Sequence, residues 1–145
     1  MDDNGINPVI VNSGFNNGVG GYTNQQCTEK AGVITFTDTA AKSSESFFYQ
    51  SEDFVGYPHV QGMYCKQHEL NMYEGEFITT VLRSAAGKFD FITKMTRDKV
   101  LEFDIKLPVT CKNEPDWNYM ENYMKSIVNK NEQLIKELNP RAVYY

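Results

Sequence analysis

Two hydrophobic periods meet near residue 110, and their meeting restricts the fold more than any other feature of the chain. Between Phe103 and Val109, apolar Phe103, Ile105, Leu107 and Val109 alternate with Asp104, Lys106 and Pro108. This is the period of a half-buried strand, and it ends at a proline that cannot donate to a ladder. A turn is expected at Lys112 to Pro115. From Trp117 onward the period changes to three and four: Trp117, Met120, Met124, Ile127, Leu134 and Leu138, with polar Asn131 at the one remaining position of the series. The spacing predicts a helix over about Pro115 to Leu138. Glu114 and Asp116 sit where the positive end of its dipole favours carboxylates, and Asn139-Pro140 supplies the stop.

A stripe this narrow suits a seam between two helices, and an asparagine inside such a seam fixes register at some cost in stability. The candidate interface is therefore Trp117, Met120, Met124, Ile127, Asn131, Leu134 and Leu138. A helix packed on its own domain produces much the same pattern, so both arrangements stay open.

Upstream, strands dominate. Pro8 to Ser13 and Gly32 to Asp38 are apolar strand candidates, separated by a Gly/Asn-rich stretch from Gly14 to Gly21 that reads as a hairpin connection. Phe47 to Gln50 and Val60 to Tyr64 follow, with a turn at Gly56-Tyr57-Pro58. Asn71 is placed to cap a helix running to about Gly87, and Thr96 to cap a short one ending at Leu101. Strands, a helix, a return strand and a long final helix predict a mixed α+β fold with a strand-rich core. The expected organisation is one α/β domain over 1–112, a helix over 113–139 and a tail over 140–145; 145 residues leave no room for a second catalytic module.

Fourteen basic against nineteen acidic residues give a net charge of −5, which disfavours a general nucleic-acid binder unless the cations cluster. They cluster modestly: Arg83, Lys88, Lys94, Arg97 and Lys99 face only Asp90 and Asp98 within 83–99. Cys27, Cys65 and Cys111 are odd in number and widely spaced, and the chain shows neither a signal-peptide pattern nor an apolar run of the ~20 residues that span a bilayer. A soluble cytoplasmic protein with reduced thiols and no membrane partner is expected.

No catalytic set emerges. The Gly14 to Gly21 stretch lacks the Gly-Lys-Ser/Thr ending of a phosphate loop. His59, Cys65 and His68 offer no fourth zinc ligand and no paired spacing. Asp104-Ile105-Lys106, with Asp90 upstream, fits half of a metal-dependent nuclease signature, but strand alternation already accounts for it. Neither a nucleophile elbow nor a methyltransferase tetrapeptide is present. The expectation is a non-enzyme without cofactor or metal.

The junction elements Leu107-Pro108-Val109, Pro115-Asp116-Trp117 and Tyr119-Met120-Glu121-Asn122-Tyr123-Met124-Lys125-Ser126 carry a resemblance. So do Phe15-Asn16-Asn17-Gly18-Val19-Gly20-Gly21-Tyr22, Gly32-Val33-Ile34-Thr35-Phe36, Phe47-Phe48-Tyr49-Gln50 and Lys88-Phe89-Asp90-Phe91, in that order. From about Pro8 to Ser126 the chain resembles the target-recognition domain and spacer helix of DNA-specificity subunits in type I and related restriction-modification systems. Where that family places Gly-Arg-Lys after the aromatic pair, Ile92-Thr93 precede Lys94 here. The resemblance implies a module that reads half of a bipartite site in double-stranded DNA. It further implies a helix paired with a second recognition domain or a second copy as a homodimer, docked on a methyltransferase subunit that performs the chemistry. Base-edge readers would come from Lys42, Ser43, Ser44, Tyr57, His59 and Gln61, and phosphate contacts from Arg83, Lys88, Lys94 and Arg97. The competing expectation is a stand-alone protein-binding module, such as an inhibitor of a nucleic-acid-processing defence enzyme, that keeps the recognition fold.

Overall fold

A computed structural model describes residues 1–2, 4–38, 45–87, 96–102 and 104–138. It has the mixed α+β architecture with a long final helix. In chain order the elements are β1 (Asn7–Ile10), β2 (Val19–Thr23), β3 (Val33–Thr37), β4 (Phe48–Gln50), β5 (Val55–Gly56), β6 (Val60–Met63), α1 (Met72–Ala86), α2 (Arg97–Leu101) and α3 (Trp117–Leu138). One sheet has the order β2-β1-β5, with β1 antiparallel to β2 and parallel to β5; the other is an antiparallel β4-β3-β6.

β3 is buried at all five positions because both of its faces are covered. Val33 faces Ile10 of β1 and Phe54 just before β5, whereas Ile34 and Phe36 face Phe47, Tyr49, Leu70, Ile78, Leu82 and Met120 on the helical side. The strand is not wholly apolar: Thr35 and Thr37 are buried on the Val33 side, and the Thr35 hydroxyl donates to the Phe48 carbonyl at 3.3 Å. The two sheets are further joined by the Gly/Asn loop. Asn16, Asn17 and Gly18 take positive φ of 51°, 53° and 77°, a conformation that asparagine and glycine tolerate best. Asn17 then donates to the Tyr49 carbonyl at 3.0 Å, while the buried Gln50 amide donates to the Asn17 carbonyl at 3.1 Å and to Thr35 Oγ1 at 2.9 Å. The hairpin expected between the strands at Pro8–Ser13 and Gly32–Asp38 is not formed, since β1 and β3 lie in different sheets; the loop instead turns β1 back onto β2, to which Val19, Gly20 and Gly21 already belong.

α1 begins as anticipated. Asn71 Oδ1 accepts from the Tyr73 and Glu74 amides at 2.9 and 3.0 Å, and Glu74 Oε2 accepts from the Asn71 amide at 3.0 Å, a reciprocal capping box. Gly75 allows the helix to meet β4, because a Cβ there would lie 2.1 Å from Tyr49 Cδ2. Thr96 caps α2 through the Lys99 amide.

The strand expected over Phe103 to Val109 is not formed. Phe103 lies outside the described residues, and 104–108 join no ladder; Val109 makes one isolated bridge, to Pro115 across the turn. Ile105 and Leu107 still point at the core, and Asp104, Ile105 and Lys106 line a cleft with Thr80, Val81 and Ser84 of α1. A helix, not a neighbouring strand, covers the apolar side of this segment.

α3 divides along its length. Met120 is fully buried in the main core, the Trp117 indole donates to Gln67 Oε1 at 2.9 Å and meets the His68 ring edge-on at 4.6 Å, and Tyr123 meets Phe77 of α1 at 5.9 Å. Trp117 and Met120 are thus removed from the expected partner seam: they complete the core of their own domain. Met124 is half-buried on the same side. Beyond Val128 every described residue is exposed, and Ile127, Leu134, Ile135 and Leu138 present their side chains to solvent.

Candidate nucleic-acid interface

The β5–β6 connection positions the base-reading candidates. Tyr57 N–H donates to the Ile10 carbonyl at 3.0 Å and the Val60 amide to the Tyr57 carbonyl at 3.2 Å, which closes the turn through Pro58 and His59. His59 takes φ of 71°, an uncommon conformation that histidine adopts more readily than most residues, and its Nδ1 lies 3.3 Å from Asp38 Oδ1. Gln61 Nε2 reaches the other oxygen of Asp38 at 3.5 Å. His59 and Gln61 therefore both lean on one carboxylate at the end of β3, and Tyr57 stands exposed beside them.

A two-lobed cleft opens at the outer edge of β6. One lobe, about 350 Å3, lies on the helical side against Val100 and Leu101 of α2. The other, about 310 Å3, lies towards Glu29, Phe54 and Tyr57. Gln61, Gly62, Tyr64 and Arg97 line both. Arg97 is exposed and makes no ion pair among the described residues. Tyr64 donates its hydroxyl to Glu29 Oε2 at 2.7 Å, and that bond, with partial burial behind it, pushes the phenol pKa up to about 12.

Tyr57, Gln61 and Arg97 thus share one cleft; His59 does not line it. Lys42, Ser43, Ser44, Lys88 and Lys94 lie outside the described residues, as does Asp90 of the nuclease half-signature. Arg83 is engaged within the fold. Its Nε and Nη2 donate to the Phe47 carbonyl at 2.9 and 2.6 Å and its guanidinium covers the Phe48 ring at 4.8 Å, because α1 lies directly over β4. The imagined metal ligands are separated and otherwise engaged: His59 faces Asp38, and His68 Nε2 lies 3.0 Å from Glu74. Among the described residues no group of three candidate ligands converges and no helix is long and apolar enough to cross a membrane.

Tyr64, Gly62 and Glu29 escaped the sequence reading. Tyr64 looked like the last residue of a strand, and nothing local joins it to Glu29, thirty-five positions earlier. An exposed Tyr57 and Tyr64 flanking a short glycine-containing strand was the one available signal.

Compared with protein-family models, curated proteins and solved structures, the chain matches none.

Proposed function

We propose that this chain is a non-catalytic DNA-recognition module that reads half of a bipartite site and docks a methyltransferase subunit through the outer half of α3. The observation that carries the reading is the division of α3. A helix needs only enough apolar stripe to hold its own domain, and Trp117 and Met120 meet that need. The continuation of the same stripe through Ile127, Leu134 and Leu138 into solvent is the surface a partner helix covers. Asn131, in the middle of the exposed stretch, suits a register-setting position. The cleft at β6 gathers hydroxyl, amide and guanidinium groups of the kinds that contact base edges and phosphates.

A second reading, a module that binds a protein and not DNA, is favoured by the internal use of Arg83, which thins the cationic surface of a chain already at −5.

The test is a titration against a random duplex library at two salt concentrations, alone and with the methyltransferase subunit from the same cell. Enrichment of one sequence, weakened by salt, is expected. No enrichment in either condition replaces the DNA reading with the protein-binding one.

A further inference from the structure

We propose that the cleft at the β6 edge takes an unpaired nucleotide, its base stacked on Tyr64 and its phosphate held by Arg97. This rests on the nucleic-acid reading above and narrows its ligand to one that includes a single-stranded or unstacked position.

Tyr64 is 58 % exposed, yet it is held at two points. Its hydroxyl is tied to Glu29, and its ring covers Gly62, where a Cβ would stand 3.0 Å from Tyr64 Cε2 and 3.3 Å from its oxygen. An aromatic side chain that is fixed but left in water forgoes burial while keeping an oriented face available. Tyr57, 56 % exposed, lines the same lobe and offers a second ring. A base inside a duplex presents only its edges in the grooves, so the face of a tyrosine serves a base that has left the stack. Stacking on aromatic rings beside a cationic group is how proteins hold single strands. Arg97 supplies the cation; the Glu29 carboxylate in the same lobe is engaged by the Tyr64 hydroxyl. The Gln61 amide, shared by both lobes, donates to Asp38 and offers its carbonyl oxygen to a base edge. A lobe of about 310 Å3 falls at the lower end of small-ligand sites.

The test is fluorescence anisotropy of the whole protein with short labelled DNA: a single strand, an abasic strand of equal length, and a hairpin duplex. The single strand should bind at least as tightly as the duplex, and the abasic strand, with the same phosphates but no bases, at least about fivefold more weakly. Tyr64→Leu should weaken single-strand binding by a similar factor, Tyr64→Phe should keep most of it, and Arg97→Ala should lower the salt slope by about 0.7. Equal binding of abasic and normal strands overturns the proposal without relying on any variant's folding. Binding to the duplex alone overturns it and leaves the recognition reading standing; binding to neither also overturns it, and the recognition reading is then decided by the library titration with the methyltransferase subunit.

Discussion

Arg83 spends its guanidinium on the Phe47 carbonyl, donating from Nε and Nη2 at 2.9 and 2.6 Å, and so joins α1 to the start of β4. A charged donor to a buried carbonyl contributes more than a neutral bond, and its removal leaves that oxygen unsatisfied. Arg83→Ala should therefore cost about 1–3 kcal/mol of stability in urea denaturation. DNA affinity measured on the folded protein should stay unchanged; a selective loss of affinity at full stability would return Arg83 to the phosphate surface.

The two halves of α3 should respond differently to substitution. Met120→Ala removes a fully buried side chain from the main core and should destabilise the domain by about 2–5 kcal/mol. Leu134→Asp and Leu138→Asp change exposed positions and should alter stability by no more than about 0.5 kcal/mol. Sedimentation of the protein with its partner, or alone at high concentration, should show association lost in the aspartate variants. Association that survives them rules out the outer half of α3 as the docking surface.

What the sequence revealed and what it concealed divide along the range of the interactions. The Asn71-x-x-Glu74 box and the Thr96 cap are local, so both helix starts were legible. The alternation of Ile105 and Leu107 correctly reported a buried side but not its cover; α1 serves as well as a strand would, and no ladder forms. β2 was hidden because Gly20 and Gly21 weaken its strand signal, although β1 pairs with it along Asn7↔Thr23 to Ile10↔Val19. The 3–4 stripe of α3 named a face without saying how much of its length the domain would cover. Counting cations could not foresee that Arg83 would sit over β4, whereas Tyr57, Gln61 and Arg97 do reach a common cleft.

Asn71 closes the start of the helix that carries Arg83 and receives α3. Asn71→Ala frees the Tyr73 and Glu74 amides and should cost about 0.5–2 kcal/mol, read as a lower urea midpoint at unchanged slope. Asn71→Asp, which keeps the acceptor, should restore most of the loss. A midpoint insensitive to both changes would mean that the cap contributes nothing to stability.

Acid should act on the fold through Asp53, whose pKa is held below the ordinary 3.8 first by Lys30 at 2.8 Å and then by the Ala31 amide at 2.9 Å. A carboxyl that ionises more readily when folded contributes its stabilisation fully above the unfolded value, and loses it as pH falls through that value to the folded one. Lys30, raised above 10.5 by the same bond, is the mirror case: its contribution is complete below 10.5 and fades as pH rises through the folded value. The urea midpoint of Asp53→Asn should fall less steeply than wild type below about pH 4. Parallel acid limbs would exclude this pair as a contributor.

The most direct measurement is amide chemical-shift mapping of the whole protein titrated with DNA, in separate duplex and single-stranded samples. The result expected is movement confined to Gly56–Tyr64, Arg97 and their neighbours, saturable and weakened by salt, while the amides of Trp117–Lys125 stay in place. Resonances of the β6 cleft that remain still at saturating DNA, or shifts confined to surfaces remote from it, would contradict the assignment of this face to nucleic acid.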